Sequence, residues 1–309
     1  MKFSVTIPAY KAHYLKEAID SVLAQTYQDY EIIIVNDASP FNVDEIVSQF
    51  VSPRICYFKN EKNCGAKDVV DNWNICLEHV SGDYVICMGD DDKLCPNCLQ
   101  DFADAIDKYP DVNIFHAGTE IIDEQSNHVE TLEIRPEQES VYSLIYSTQG
   151  SGLGSYLYKT SILRKNGGFY KLPYGWASDF ISEYIAAKDN GIINIQTVGF
   201  QYRGNGLSIS HDMESILDKI QALLQYEKWI NDFLMDNKPI LPEDKVTAGL
   251  IKNNLEKRIH SNIDGLVEFD IRLNFVKRSW FWLKNKSKFG ISSKRYIKCV
   301  LNSLRYRIQ

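Results

Sequence analysis

Residues 82–93 read Gly82-Asp83-Tyr84-Val85-Ile86-Cys87-Met88-Gly89-Asp90-Asp91-Asp92-Lys93, an apolar run that ends in three consecutive aspartates. The run at 84–88 is predicted to be a buried strand, since short apolar runs between turn residues are typical of one. Three adjacent carboxylates repel one another, and a divalent cation is the simplest partner for them. Oxygen ligands suit Mg2+ or Mn2+, which often bind through one or two carboxylates and substrate phosphates. The alternative interpretation is a solvated turn with an acidic helix cap.

The first hundred residues alternate between strand and helix patterns. Apolar runs at residues 3–8, 31–35 and 54–58 precede the run at 84–88, and segments with helical spacing lie between them. The second run contains Ile32-Ile33-Ile34-Val35 without a polar break, which is typical of a strand covered on both faces in a parallel sheet. The pattern predicts an α/β fold, in which a Rossmann-like, mostly parallel sheet is flanked by helices.

Three of the predicted strand ends carry residues suited to a ligand. They are Pro8-Ala9-Tyr10, Asp37 and Asp90-Asp91-Asp92. In open α/β sheets, ligands bind at the carboxyl ends of the strands. The three groups are therefore expected to converge on one crevice, which favours a binding site over a solvated turn at the aspartates.

The pattern is less regular after the first hundred residues. Residues 112–122 and 128–134 are expected to pair as an antiparallel hairpin, whereas residues 141–147 are ambiguous. A helix is expected from about residue 178 to residue 190. From about residue 212 the chain is predicted to be mostly helical.

Charge is distributed unevenly along the chain. The whole sequence has 34 Lys and Arg against 41 Asp and Glu, but residues 271–309 carry eleven basic residues and no acidic one, which leaves 23 basic against 41 acidic residues elsewhere. Basic residues interleaved with aromatic ones such as Trp280 suit the surface of an anionic membrane. The alternative is that these helices pack on the acidic remainder of the chain or on a second subunit. That acidic remainder argues against a nucleic-acid partner.

The sequence favours a cytoplasmic protein, with peripheral contact to the inner face of the membrane as a further possibility. Met1-Lys2 leads directly into the first predicted strand, so we expect no signal peptide. No apolar run approaches the ~18–20 residues that span a bilayer. The seven cysteines are scattered and odd in number, which favours reduced thiols. The pair in Cys95-Pro96-Asn97-Cys98 lacks two further zinc ligands and is interpreted as local structure.

Five motifs, taken in order, resemble glycosyltransferase family 2, the inverting enzymes with the GT-A fold. They are Ser4-Val5-Thr6-Ile7-Pro8-Ala9-Tyr10, Ser21-Val22-Leu23-Ala24-Gln25-Thr26-Tyr27, Val35-Asn36-Asp37-Ala38-Ser39, Asn63-Cys64-Gly65 and Asp90-Asp91-Asp92. The resemblance implies a GT-A domain at 1–210, with a nucleotide-binding half at 1–100 and an acceptor and catalytic half at 101–210. Residues 211–309 are then a helical C-terminal extension.

The resemblance also implies roles for individual residues. Asp37 would hydrogen-bond the base of a nucleotide, usually uracil. The residues assigned to the nucleotide are Pro8, Ala9, Tyr10, Asp37, Asn63, Gly65, Asp90 and Asp91, and those assigned to a Mn2+ or Mg2+ ion are Asp90, Asp92 and His211. Gly89 stands where many relatives carry the first aspartate, so the ribose contact and the metal ligand are not separated within the triplet. The alternative for His211 is a surface histidine.

Sugar transfer requires a base that takes the proton of the acceptor hydroxyl. Relatives place this base at the start of a helix, often as Glu-Asp, and the equivalent here is Ser178-Asp179. Asp179 is assigned as the catalytic base, with a plain helix N-cap as the alternative. The residues assigned to the donor sugar or the acceptor are Gly154, Tyr174, Trp176 and Arg203. For the two aromatic residues, core packing is the alternative.

The sequence therefore predicts a metal-dependent, inverting glycosyltransferase. Its donor is expected to be a nucleotide-diphosphate sugar, in particular a UDP-sugar, and its acceptor a glycan or lipid-linked glycan. The resemblance points to the assembly of a bacterial surface polysaccharide. A nucleotidyltransferase is one alternative, although Pro8-Ala9-Tyr10-Lys11 lacks a glycine-rich phosphate loop. A non-catalytic nucleotide-sugar-binding relative is the other.

Overall fold

The structure is a computed structural model that describes residues 1–147, 152–204 and 215–308. The chain divides into two compact units. The described residues of the first unit lie within 1–171 and 178–204, and those of the second within 172–177 and 215–308. The short segment 172–177 thus groups with the C-terminal helices. A single boundary at residue 210 would instead place this segment in the first unit.

The first unit alternates strands and helices from its first residues onward. Its elements are β1 (Phe3–Ala9), α1 (Leu15–Leu23), β2 (Tyr30–Asn36), α2 (Val43–Ser48), β3 (Ile55–Lys59), α3 (Val69–His79), β4 (Tyr84–Cys87), β5 (Lys93–Leu94), α4 (Cys98–Lys108), β6 (Ile114–Ile122), β7 (His128–Thr131), β8 (Gln138–Glu139), α5 (Val141–Ser147), β9 (Tyr156–Lys159), α6 (Thr160–Lys165), α7 (Ser178–Ala187) and β10 (Ile192–Arg203). The ambiguous residues 141–147 are helical, and the helix expected from about 178 ends at Ala187.

The ten strands of the described residues form one sheet in the order β3-β2-β1-β4-β9-β6-β10-β5, with β7 paired to β6 and β8 paired to β10. Strands β3, β2, β1 and β4 are parallel, as the uninterrupted apolar runs predicted. Strand β9 pairs antiparallel with both β4 and β6, while β6 and β10 are parallel. The predicted hairpin is the antiparallel pair of β6 and β7.

The register of the central strands sets three chain segments side by side. Ala9 of β1 lies opposite Asn36 of β2, and Thr6 of β1 lies opposite Cys87 of β4. The strands themselves are buried on both faces. Residues of α1 pack on one side of the parallel part and Cys76 of α3 packs on the other, against Ile33 and Val35. The residues that follow β1, β2 and β4 therefore emerge at the same edge of the sheet.

The second unit is helical, as the sequence predicted. It contains α8 (Ile216–Asp236), α9 (Pro242–Leu273), α10 (Phe275–Asn285) and α11 (Ser293–Ile308), with one-turn 3-10 helices at Pro173–Gly175 and Lys286–Phe289. Of the helices in the described part of the chain, none has the length and apolar character that crossing a bilayer requires.

Candidate active site

Asp90, the first aspartate of the triplet, ties the end of β4 to the end of β1. The backbone amides of Tyr10 and Lys11 donate hydrogen bonds to Asp90 Oδ2, at 2.7 and 2.6 Å. Burial and the neighbouring charge of Asp91 raise the pKa of Asp90 to about 6, although these two amides act in the opposite direction. The turn after β1 and the aspartate triplet thus meet directly.

Asp37, at the end of β2, lies beside the same turn. Its backbone amide donates to the carbonyl oxygen of Ala9 at 2.9 Å. Its carboxylate Oδ1 accepts hydrogen bonds from Asn60 Nδ2 at 2.8 Å and from the Cys64 amide at 2.9 Å. Asn60 was not predicted, because it follows β3 as an ordinary polar loop residue and only the strand register brings it to Asp37.

The turn Asn63-Cys64-Gly65 closes over Asp37. Asn63 Nδ2 donates to the carbonyl oxygen of Asp37 at 2.7 Å. Gly65 has a φ of 82°, a left-handed conformation that glycine adopts without a steric penalty. The predicted nucleotide-side residues Ala9, Asp37 and Asn63 are therefore brought together, and Gly65 supplies the turn that allows it.

The other two aspartates face Gly89. A Cβ atom at Gly89 would lie 2.9 Å from Asp92 Oδ2 and 3.0 Å from Asp91 Oδ1. The absence of a side chain at this position leaves room for both carboxylate oxygens. Asp92 Oδ1 accepts a hydrogen bond from the Arg203 amide at 2.9 Å, and Lys11 Nζ lies 3.3 Å from Asp91 Oδ2. Burial, followed by the charge of Asp91, raises the pKa of Asp92 well above its ordinary value.

A divalent cation fits these oxygens if the substrate completes its coordination. Asp91 Oδ1 and Asp92 Oδ2 approach the same point at Gly89, and both are hard oxygen donors. Within residues 1–147, 152–204 and 215–308, no group of three or more His, Cys, Asp and Glu side chains is arranged to hold a metal ion. Mg2+ commonly binds through one or two carboxylates together with substrate phosphates, which is the arrangement that two aspartates allow.

Arg203 is buried against the triplet. Its Nε donates to the carbonyl oxygen of Asp91 at 2.8 Å, and its Nη2 donates to Glu17 Oε2 at 3.0 Å. The guanidinium carbon lies 4.1 Å from the ring centroid of Tyr14, a cation–π distance. Its assignment to a sugar stays a prediction, and these contacts indicate in addition that Arg203 holds the backbone of the triplet in place.

Glu17 and Ser126 hold Arg203 and were not predicted from the sequence. Ser126 Oγ donates to Glu17 Oε2 at 2.6 Å and accepts from Arg203 Nη1 at 2.9 Å. The hydrogen bond from Ser126 is the main reason that the pKa of Glu17 lies below its ordinary value. Glu17 has the spacing of an exposed position on α1, and Ser126 lies in the turn between β6 and β7. No local pattern distinguishes them from ordinary surface residues.

Asp179 lies in the first turn of α7, in the first unit. Its Oδ1 accepts a hydrogen bond from the Phe180 amide at 2.9 Å. Burial raises the pKa of Asp179 to about 6, although backbone amides of Phe180 and of Asp179 itself act in the opposite direction. A carboxylate with a raised pKa close to neutral is what a general base requires, whereas a plain N-cap requires no such shift.

A second carboxyl group, Glu183, lies one helical turn after Asp179 and was not predicted. Its side chain is only 2% exposed. Burial, and then the charge of Asp179, raises the pKa of Glu183 well above its ordinary value, although the charge of Arg135 and a hydrogen bond from Tyr156 act in the opposite direction. Arg135 is itself buried, and its Nε lies 2.7 Å from Glu139 Oε2. The four-residue spacing of the two acids was visible in the sequence, but the burial of that helix face was not.

Gly154 lies where β9, β10 and the end of β4 come together. A Cβ atom at this position would lie 2.6 Å from the Phe200 ring and 3.2 Å from the Cα atom of Met88. Glycine is therefore required for close packing immediately before the aspartate triplet. Its assignment to a sugar contact stays a prediction.

The remaining predicted residues lie elsewhere in the chain. Tyr174 and Trp176 belong to the second unit, where Lys219 Nζ lies 4.8 Å from the Trp176 ring centroid. Tyr174 has a φ of 61°, in the left-handed region. His211 lies outside the described residues, so its assignment as a metal ligand stays a prediction.

The part of the chain that carries the five motifs matches a known family. Residues 4–166, more than half of the 309 residues, match the family described as glycosyl transferase family 2. The chain belongs to glycosyl transferase family 2. The family resemblance that the motifs carry is thereby confirmed.

Curated relatives of this family 2 chain include bacterial proteins named as glycosyltransferases. The chain is 28% identical over 242 residues to an uncharacterized glycosyltransferase of Rickettsia typhi, which covers 75% of this chain and 71% of the relative. It is 23% identical over 268 residues to the putative glycosyltransferase EpsE of Bacillus subtilis, and the match covers 83% of this chain and 93% of EpsE. A match to an uncharacterized glycosyltransferase of Rickettsia conorii, at 38% identity, spans 40% of this chain and a fifth of the relative's length.

Solved structures of glycosyltransferases share the fold of this family 2 chain. S. aureus TarS 1–349 in complex with UDP-GlcNAc superposes with a TM-score of 0.60 and 17% identity, over 99% of this chain and 92% of TarS 1–349. The mannosyltransferase PcManGT from Pyrobaculum calidifontis, in complex with GDP-Man and Mn2+, gives a TM-score of 0.56 and 14% identity, over 98% and 86%. At such identities the likeness shows the fold, and the predicted GT-A fold is confirmed.

Proposed function

We propose that this chain transfers a sugar from a nucleotide-diphosphate donor to the hydroxyl group of an acceptor. The observation that carries the proposal is the way in which the Ala9-Tyr10 peptide joins Asp37 to Asp90. The carbonyl oxygen of Ala9 accepts a hydrogen bond from the backbone amide of Asp37, and the backbone amide of Tyr10 donates one to the carboxylate of Asp90. A nucleotide whose base contacts Asp37 would extend its diphosphate along this dipeptide toward the aspartate triplet.

The donor in this proposal is a UDP-sugar. TarS, which has the same fold, is known in complex with UDP-GlcNAc and with UDP. The mannosyltransferase neighbour holds GDP-Man and Mn2+ instead, so a GDP-sugar is the alternative donor. Pro8 and Tyr10 line the proposed nucleotide pocket with Asn63 and Gly65, and the base of the nucleotide contacts Asp37.

The acceptor hydroxyl attacks the anomeric carbon as the nucleoside diphosphate leaves, and in-line attack inverts the anomeric centre. Asp179 takes the proton of that hydroxyl. With a pKa of about 6, Asp179 is mostly ionised at neutral pH and therefore competent as a base. A Mn2+ or Mg2+ ion, when bound by Asp91 and Asp92 in this proposal, would neutralise charge on the leaving diphosphate as a Lewis acid.

The proposed acceptor is a glycan or lipid-linked glycan, in the assembly of a bacterial surface polysaccharide. This setting is supported by the family resemblance and by the bacterial glycosyltransferases among the relatives. A non-catalytic nucleotide-sugar-binding protein is the main alternative. A nucleotidyltransferase would instead join the nucleoside monophosphate part of a nucleoside triphosphate to a sugar phosphate, with pyrophosphate as the leaving group.

Calorimetric titration with UDP and GDP, each with and without Mn2+, tests the proposal. We expect UDP to bind tightly only in the presence of Mn2+, and a panel of UDP-sugars then to identify the donor by release of UDP in the presence of acceptor. Failure of both nucleotides to bind with Mn2+ present would overturn it. Tight UDP binding without release of UDP from any donor would favour the non-catalytic alternative.

A further inference from the structure

Two helices of the second unit expose apolar side chains at regular spacing. The exposed fractions on α10 are 80% for Val276, 60% for Trp280 and 49% for Leu283, and on α11 they are 55% for Ile297, 52% for Leu301 and 37% for Leu304. Each triplet follows the i, i+4, i+7 spacing, which places its three members on one side of the helix. These six residues are called the outer face below.

The opposite sides of α10 and α11 attach both helices to α9. On α10, Trp282 is fully buried and its indole N–H donates to Asp270 of α9 at 2.7 Å. On α11, Cys299 is buried and Ser303 Oγ donates to the carbonyl oxygen of Glu268 of α9 at 3.0 Å. At about 100° per residue, the apolar triplets lie about 100–200° around their helices from these anchors. Both triplets therefore point away from α9.

The two apolar triplets are also neighbours. Tyr296 of α11 donates its hydroxyl hydrogen to the carbonyl oxygen of Ser279 on α10 at 2.9 Å, so the helices lie side by side. Ser279 and Tyr296 each lie about 60° from the buried anchor of their own helix, between that anchor and the outer face. The outer face is therefore one surface formed by two adjacent helices.

Cations border the outer face on both helices. Up to residue 305, where burial is described, the exposed basic residues of this region are Lys277, Lys284, Lys288, Lys294, Lys298 and Arg305. The ammonium group of Lys284 lies 3.4 Å from the ring centroid of Trp280. By contrast, Arg278 and Arg295 face α9, where they pair with Asp270 and Asp264. Residues 271–309 contain no Asp or Glu that could neutralise the exposed cations.

We propose that the outer face binds the surface of an anionic lipid bilayer, with α10 and α11 lying in the plane of the interface. Apolar and aromatic residues bordered by Lys and Arg are typical of helices that lie on such surfaces. A symmetric contact between two copies would bring two positively charged faces together, which the charge pattern disfavours. The inference goes beyond the proposed sugar transfer and does not depend on it.

Vesicle flotation of the full chain tests this inference without any substrate. We expect binding to vesicles of phosphatidylcholine with about 30% phosphatidylglycerol, no binding to phosphatidylcholine alone, and weakening by salt. The Lys277→Glu/Lys298→Glu variant should lower the partition coefficient at least about 30-fold. The matched control is Lys245→Glu/Lys252→Glu, which reverses the same charge at two exposed positions of α9 and should stay within about twofold. Both positions precede His260, whose carbonyl oxygen accepts a hydrogen bond from Arg295 of α11, by about 12 Å or more along the helix, which exceeds the Debye length of about 8 Å.

Removal of apolar side chains gives a second, independent comparison. Val276→Ser/Trp280→Ser should weaken vesicle binding, whereas Val246→Ser, at an exposed position of α9, should not. Unchanged thermal unfolding midpoints show that the variants are folded. In the otherwise native chain, Trp280→Phe should remove most of the blue shift in tryptophan emission on addition of vesicles.

Three outcomes would overturn the inference. One is the absence of binding to anionic vesicles. Another is an equal loss of binding in the two charge-reversal variants, because vesicle binding would then depend on the net charge of the chain and not on the outer face. The third is a dimer in sedimentation experiments that Val276→Ser/Trp280→Ser dissociates while vesicle binding is unaffected, because the outer face would then belong to a second copy.

Discussion

The backbone amide of Arg203, the last residue of β10, donates a hydrogen bond of 2.9 Å to Oδ1 of Asp92, although 111 residues separate them in sequence. The guanidinium group of Arg203 also donates to the carbonyl oxygen of Asp91 at 2.8 Å. One buried residue thus fixes both aspartates that face Gly89. The two candidate metal ligands, Asp91 and Asp92, are therefore held in place by the C-terminal end of β10 as well as by the loop after β4.

Arg203→Lys is expected to lower the free energy of unfolding by about 3 kcal/mol. A single ammonium group cannot reach Asp91, Ser126 and Glu17 together, so buried polar groups lose their partners. Urea unfolding measures the change. Arg54→Lys, whose side chain bonds Gln28 near the surface, is the control and should change stability by less than about 1 kcal/mol. Equal losses in the two variants would contradict a special role for Arg203.

Gly89→Ala is expected to weaken Mn2+-dependent binding of UDP by at least about tenfold. The added methyl group would displace Asp92 Oδ2 or Asp91 Oδ1, which lie 2.9 and 3.0 Å from its position. Calorimetry with UDP and Mn2+ measures the effect. Gly265→Ala is the matched control, because a Cβ atom there meets nothing within 4 Å and α9 should gain about 0.5–1 kcal/mol of helix stability. If Gly89→Ala bound UDP and Mn2+ with native affinity, Asp92 Oδ2 and Asp91 Oδ1 would not be ligands of the metal ion.

Asp179→Asn is expected to lower kcat at least about 100-fold and to leave nucleotide affinity unchanged. The base must be ionised, so kcat of the native chain should rise as the pH rises through about 6 and level off above it. Steady-state rates between pH 5 and pH 8 measure both effects. Asp189→Asn, at an exposed position just past α7, is the control. Unchanged turnover in Asp179→Asn would leave Asp179 as a helix cap.

Glu183→Gln is expected to become more stable relative to the native chain as the pH rises. The pKa of folded Glu183 is raised, so the folded state holds a proton that the unfolded chain releases above about pH 4.3. Stability of the native chain therefore falls as the pH rises from that value toward the folded pKa, whereas glutamine cannot ionise. Unfolding midpoints at pH 4.5 and pH 8 measure the difference.

The opposite result for Glu183→Gln has a clear physical meaning. If Glu183 were ionised and paired with Arg135, glutamine would destabilise the fold, and more so at pH 8 than at pH 4.5. Glu183→Ala separates shape from charge, since a cavity and lost hydrogen bonds should destabilise it at both pH values, by about 2 kcal/mol or more.

The relation between strand ends could be predicted because it follows from chain geometry. Ile32-Ile33-Ile34-Val35 indicated a strand buried on both faces, and parallel strands bring their carboxyl ends to one edge of a sheet. Asp37 and Asp90 accordingly meet at the Ala9-Tyr10 peptide. Residues 141–147 could not be predicted, because a short segment with mixed spacing becomes a helix only through its packing.

The sequence alone determined the patterns that depend on neighbours along the chain. These are the apolar runs that predicted parallel strands in the first hundred residues, and the apolar spacing with dense positive charge in α10 and α11. Only the tertiary structure decided which polar groups are buried and paired. Glu17, Ser126 and Glu183 have no local signature, since their partners are remote in sequence or their helix face is covered by other elements. Similarly, the hydrogen bond from Trp282 to Asp270 decides which side of α10 faces inward and leaves Trp280 exposed. Spacing depends on neighbours along the chain, whereas burial and pKa depend on neighbours in space.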